Sequence, residues 1–187
     1  MKLATVQKKP QTVATISSTA TLRANARRKI EEGAVTGTYS ANRELVLKML
    51  NDSLATEIVC MLRYKRHYFM ATGVHAESVA TEFLEHATQE TKHADAIAKR
   101  IVQLGDKPDF SPDTLTKRSH AEYVPGKTLV EMIKEDLVAE RIAIDSYKEM
   151  IEVIGDDDPT TRRMIEWILA VEEEHADDLA GLLDAGR

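Results

Sequence analysis

The chain has 187 residues, 31 acidic and 25 basic side chains, and a net charge of −6. That length suits one domain with a sizeable core, and the lone cysteine, Cys60, excludes an internal disulfide framework or a CxxC electron-transfer module. With no bilayer-length apolar run and no apolar leader segment, the expected location is the cytoplasm.

Residues 1–40 differ from the rest. Within residues 1–30 lie Lys2, Lys8, Lys9, Arg23, Arg27, Arg28 and Lys29 and no acid, a local +7 that leaves −13 for the remainder of the −6 total. Pro10, Gly33 and Gly37 interrupt this stretch, and Arg23 to Glu32 is expected to form a short helix. A basic, acid-free arm of this kind fits a mobile terminus, a transit peptide, or an arm that binds DNA phosphates without reading sequence. The expected division is a basic, flexible extension over residues 1–40 and one helical domain over 41–187.

The first long helix is expected from Asn42 to Met70. Leu47, Leu50, Leu54, Met61, Tyr64 and Tyr68 recur at steps of three and four, with Glu57 in mid-stripe. A bare carboxylate there costs several kcal/mol to bury and requires a cation. After a turn at Gly73, a second helix is expected over Glu77 to Leu104. Its stripe of Val79, Phe83, His86, Glu90, His93, Ile97, Ile101 and Leu104 carries three ligand-type residues.

Gly105 and Pro108 end that helix. Residues 105–126 form a linker too long for a turn between neighbouring helices. A 28-residue helix is about 42 Å long. The linker can span it, leaving the second and third helices parallel. His120 and Tyr123, in the linker, read as surface or packing residues. The third helix, Thr128 to Ile154, has Glu140 in a stripe of Leu129, Ile133, Leu137, Ile144, Tyr147 and Ile151. Asp158 is placed to cap a fourth helix, with Pro159 at its first position. There Ile165, Ile168, Leu179 and Leu182 bracket Glu172 and His175.

The chain contains an internal repeat. Glu57 and Tyr64-Lys65 match Glu140 and Tyr147-Lys148. Glu90-x-x-His93-Ala-Asp matches Glu172-x-x-His175-Ala-Asp. Positions i and i+3 share a helical face. Two hairpins, each offering a Glu and then a Glu-x-x-His, bring four carboxylates and two imidazoles to one centre. That is the donor set for a carboxylate-bridged metal pair in a four-helix bundle. Two divalent cations would neutralise the four carboxylates, and the mixed oxygen and imidazole donors suit Fe(II), with Mn or Zn possible. Lys65 and Lys148 fall off the stripes and cannot serve instead. Tyr64 and Tyr147 are core tyrosines, hydrogen-bond partners of the carboxylates, or suppliers of an electron. His86, one turn before Glu90, is a candidate accessory ligand.

On these motifs, residues 43–183 resemble the ferritin-like superfamily, within it the bacterioferritin branch. The resemblance implies an all-α four-helix bundle with a long crossover. It makes Glu57 and Glu140 terminal ligands, Glu90 and Glu172 bridging ligands, and His93 and His175 one ligand to each iron, with Tyr64 beside the centre. It further implies ferroxidase activity with O2 or H2O2 as oxidant and iron storage in a homo-oligomeric cage. Two departures refine this. The position after the first bridging Glu, where bacterioferritins carry the haem-binding Met, is Thr91, so haem is not expected. No fifth helix is expected after Leu183, which favours the Dps-like mini-ferritins with a bacterioferritin-type centre, and a 12-mer over a 24-mer. Cys60 stands without the second cysteine that accompanies the centre in some of that group. Other functions on the same centre are a peroxidase or manganese catalase, and a DNA-protecting stress protein using the basic tail.

Overall fold

The computed structural model describes residues 16–74 and 76–185. The expectations for Lys2, Lys8, Lys9 and Pro10 lie outside these residues. The chain divides into two compact units, Met1–Gly37 and Thr38–Arg187.

In the first unit, α1 spans Thr19–Asn25 and a 3-10 turn spans Ile30–Glu32. The helix expected over Arg23 to Glu32 therefore starts earlier and breaks. Ser18 is the reason for the start: its hydroxyl accepts the Thr21 amide at 3.2 Å. The break follows at Lys29, whose φ of 50° is left-handed. Arg23, Arg27, Arg28 and Lys29 flank the break, all four of them exposed.

In the second unit, all the regular structure among the described residues is helical. The long helices are α2 (Arg43–Met70), α3 (Ala76–Gln103), α5 (Leu129–Ile154) and α6 (Pro159–Ala185), within two residues of their expected ends. A short α4 (Leu115–Arg118) interrupts the linker. Thus the described residues hold two short helices besides the four long ones, both of them before α5 rather than after α6. No described helix is long and apolar enough to cross a membrane.

Caps set the helix starts. Asn42 accepts the Leu45 amide, and Thr128 and Glu131 form a reciprocal capping box on α5. Asp158 accepts the Thr161 amide at 2.9 Å, as its place before Pro159 predicts. It also binds the Arg100 guanidinium at 2.8 Å and the Tyr39 hydroxyl at 3.0 Å. The start of α6 is thereby tied to the end of α3.

Side-chain pairs fix the helix directions. Arg43, at the start of α2, donates to the Leu104 carbonyl beyond α3, so those two are antiparallel. Ser53 meets Met150 and Arg63 meets Asp136, so α2 and α5 are antiparallel. Consequently α3 and α5 run parallel. The linker follows α2 in between: Asn51 binds the Asp109 amide, Thr56 the His120 amide, Arg63 the Glu122 carbonyl, and His67 the Pro125 carbonyl. His120 and Tyr123 are exposed, as expected.

Every residue of the α3 stripe, from Val79 to Leu104, is buried. α2 differs from its expectation, being buried on two sides. Leu50, Leu54, Glu57 and Tyr64 face the other long helices, with Leu47, Met61 and Tyr68 half-buried at the edges. Thr56, Val59, Cys60, Arg63 and His67 are buried as well, on the sides met by the linker and α5. There Arg63 and His67 share Asp136, at 2.8 and 2.7 Å, all three at most 1% exposed. Removing one member of such a buried ionic set leaves the others unpaired. Asp136→Ala is expected to cost about 3–5 kcal/mol in urea unfolding. Lys48→Ala, at the exposed pair with Asp52, should cost under about 1 kcal/mol.

Candidate metal centre

Two turns of sequence spacing become one cluster in space. Glu57 on α2, Glu90 and His93 on α3 and Glu172 on α6 offer donor atoms within 4.8 Å of one another. Glu90, Glu140 on α5, Glu172 and His175 do the same. Glu90 and Glu172 belong to both sets. All six residues are at most 1% exposed. Among the described residues, no Lys or Arg side chain forms an ion pair with the four carboxylates. Lys65 and Lys148 are exposed, the latter pairing with Glu173 at 3.2 Å.

Each imidazole turns Nδ1 inward. His93 Nδ1 lies 3.2 Å from Glu57 and 2.9 Å from Glu172. His175 Nδ1 lies 3.2 Å from Glu172 and 3.5 Å from Glu90. The outer Nε2 of His175 donates to the Gln89 side-chain oxygen, which leaves the Nδ1 lone pair for the cluster. Trp167 stands edge-on to the His93 ring, with centroids 5.1 Å apart.

The tyrosines cross between the hairpins. Tyr64 on α2 donates to Glu140 on α5, and Tyr147 on α5 donates to Glu57 on α2. Both phenols are fully buried, and burial followed by the nearby carboxylates pushes both well above the usual tyrosine range. They therefore remain neutral donors. Gln89 and Tyr147 extend the site beyond the residues singled out as its core from sequence.

Burial and then Glu172 raise Glu90 to about 7, and burial and then Glu172 and Glu90 raise Glu140 well above the usual carboxylate range. Burial would raise Glu172 too, but His175 and His93 outweigh it and hold the carboxyl at about 2. Burial would lower His175, but Glu172 and Glu90 outweigh it and lift the imidazole to about 9. Protons thus occupy the cluster in the absence of another cation. Even so, Glu90 Oε1, both Glu172 oxygens and His175 Nδ1 are buried without a hydrogen bond. Four such atoms converging in one core fit a divalent cation pair better than a proton network.

The remaining candidates lie outside this cluster. His86 stacks on His175, with centroids 3.9 Å apart, and its Nδ1 is 3.2 Å from the Tyr64 hydroxyl. Burial and then His175 lower His86 to about 3. Cys60 packs against Ala121 and Ala139 and accepts a contact from Arg63. Thr91 is exposed, and its hydroxyl is spent on the Ala87 carbonyl.

The ferritin-like domain model matches residues 47–187, which include all six clustered residues. The chain belongs to the ferritin-like family. Bacterioferritin from Mycobacterium avium is 30% identical over 140 residues, covering 74% of this chain and 84% of that protein. Bacterioferritin from Streptomyces coelicolor is 29% identical over 74% of this chain and 80% of its own length. Among solved structures, the bacterioferritin-related protein of Bacteroides fragilis, a dodecameric thioferritin, matches this ferritin-like chain with a TM-score of 0.75. Its identity is 30%, over 79% of this chain and 89% of that one. Dps from Thermosynechococcus elongatus shares the fold, with a TM-score of 0.72 and 22% identity over 75% of this chain and 90% of that one.

Two measurements probe the cluster. Zn(II) binding by the apo protein should release protons at pH 7 and weaken from pH 8 to pH 6, because Glu90, Glu140 and His175 take up protons as pH falls. Calorimetry in buffers of different ionisation enthalpy reads that release. Gln89→Ala, which frees the outer nitrogen of His175, should weaken metal binding by about 10–100-fold in the same titration.

Proposed function

We propose that this chain is a ferroxidase that oxidises Fe(II) as its substrate and stores the ferric product. Its second unit would act as a di-iron four-helix bundle, and its copies would assemble into a cage. The observation that carries this reading is the pair of buried donor sets sharing Glu90 and Glu172. A shared pair of carboxylates suits two cations held side by side, and four carboxylates offset the charge of two divalent ions. In this reading Glu57 and His93 hold one Fe(II), Glu140 and His175 the other, and Glu90 and Glu172 span both.

Each protein group then has a task. The carboxylates and imidazoles favour the higher charge of Fe(III) and so lower the cost of electron loss. Gln89 and the two tyrosines hold His175, Glu140 and Glu57 in place. Two Fe(II) supply the two electrons that reduce H2O2, with two protons, to two waters. A dodecameric cage is supported by the Bacteroides fragilis relative at 30% identity.

The test uses the full chain loaded anaerobically with Fe(II), then given O2 or H2O2. Near-ultraviolet absorbance should rise rapidly, with one peroxide consumed per two Fe(II), and the product should sediment as a cage carrying iron. Glu57→Gln with Glu140→Gln should abolish the rapid phase. Rapid O2 evolution from peroxide by the manganese form, or a stable dimer with no retained iron, would replace storage with catalase or peroxidase chemistry.

A further inference from the structure

One ligand-type cluster is left unused by the central pair. Glu82 and His86 on α3 and Asp178 on α6 offer donor atoms within 4.8 Å of one another. His86 Nε2 is 3.3 Å from a Glu82 oxygen and 3.8 Å from an Asp178 oxygen. The imidazole is 1% exposed, yet this nitrogen has no hydrogen-bond partner. The two carboxylates are open to water, with side-chain exposures of 31% and 46%.

The opposite nitrogen explains the orientation. Tyr64 gives its single proton to Glu140, so the Tyr64 oxygen must accept from His86 Nδ1. A neutral imidazole that donates through Nδ1 carries its lone pair on Nε2. That lone pair therefore faces the Glu82 and Asp178 side chains, and burial and then Asp178 raise the Glu82 carboxyl, so the two carboxyl groups crowd each other as well. A surface ion pair of Glu82 with His86 would not need the second carboxylate or a buried ring.

We propose that Glu82, His86 and Asp178 form a third divalent-cation site, a half-exposed stop for Fe(II) beside the buried pair. One imidazole and two carboxylates suit Fe(II), Mn(II), Co(II) or Zn(II), and leave positions for water. The His86 ring stacks on His175 and its Nδ1 meets the Tyr64 hydroxyl, so the site adjoins the central cluster through both contacts. Solvent-facing carboxylates make it the weaker and more rapidly exchanging of the sites. Its role as a stop for incoming Fe(II) rests on the ferroxidase reading; its ability to bind a cation does not.

Anaerobic Co(II) titration of the full-length protein tests it, by calorimetry and visible absorption, with Trp167 fluorescence recorded in parallel. Trp167 stands edge-on to His93, a ligand of the central pair, so its quenching follows the filling of that pair. Wild type should take three Co(II) per chain, one of them weaker, and Glu82→Gln with Asp178→Asn should take two with full Trp167 quenching. Both substituted side chains are partly exposed, which keeps the fold intact. His86→Asn should lose the same weak equivalent. Retention of all equivalents by the Glu82→Gln, Asp178→Asn protein would overturn the proposal. Glu57→Gln with Glu140→Gln should do the converse, removing the quenching and keeping the weak equivalent. If that variant keeps every equivalent while the first loses one, the central reading fails and the third site stands.

Discussion

Four carboxylates buried in one apolar core are the constraint around which this protein is built. A single isolated buried carboxylate costs several kcal/mol, and like charges side by side raise that cost. The chain offsets it in part by drawing each carboxylate from a different long helix. It adds the two imidazoles and two phenols, all with polar atoms turned to the same centre. The offset is incomplete: both oxygens of Glu172 lack hydrogen bonds although the residue is fully buried. Polar core groups left in that state are retained for binding rather than for stability.

The sequence repeat becomes a physical pairing. α2 packs chiefly on α3 and α5 chiefly on α6, so each hairpin is a packed body of its own. The hairpins meet where Tyr64 reaches Glu140 and Tyr147 reaches Glu57, a reciprocal exchange of one hydrogen bond in each direction. The Arg63, His67 and Asp136 set adds a further tie between α2 and α5; at the matching positions of the repeat Ser53 meets Met150, so only its charges have no counterpart. The halves are thus alike at the cluster and unlike beside the linker, where only one of them needs anchoring.

Much of this was legible in the sequence because helices obey a period. Glu57, Glu90, His93, Glu140, Glu172 and His175 each interrupt an apolar stripe at helical spacing, and that spacing alone put them on inner faces. Linker length foretold the parallel α3 and α5. What stayed hidden depends on long-range contact. Arg63 and His67 look like surface residues on the far side of the α2 stripe until the linker covers them. Gln89 looks like an ordinary exposed-face residue until α6 places His175 beside it. Asp158 was readable as a cap, but not as the partner of Arg100. The α1 boundary was missed because Ser18, in a run of Ser, Thr and Ala, carries no stronger capping signal than its neighbours.

The Arg100–Asp158 contact has a consequence for alignment along the helix axes. Arg100 follows His93 by seven residues, and Asp158 precedes Glu172 by fourteen, close to whole numbers of turns. The clamp and the donor atoms therefore lie on the same faces of α3 and α6. Apolar stripes alone tolerate a slide of one turn, about 5.4 Å, since Ile and Leu recur along them. The Arg100 guanidinium, whose Nη2 donates to both Asp158 oxygens while Nε donates to Thr161, does not. It acts as an end stop that sets the longitudinal register of two smooth helices, so that Glu90 and His93 arrive level with Glu172 and His175.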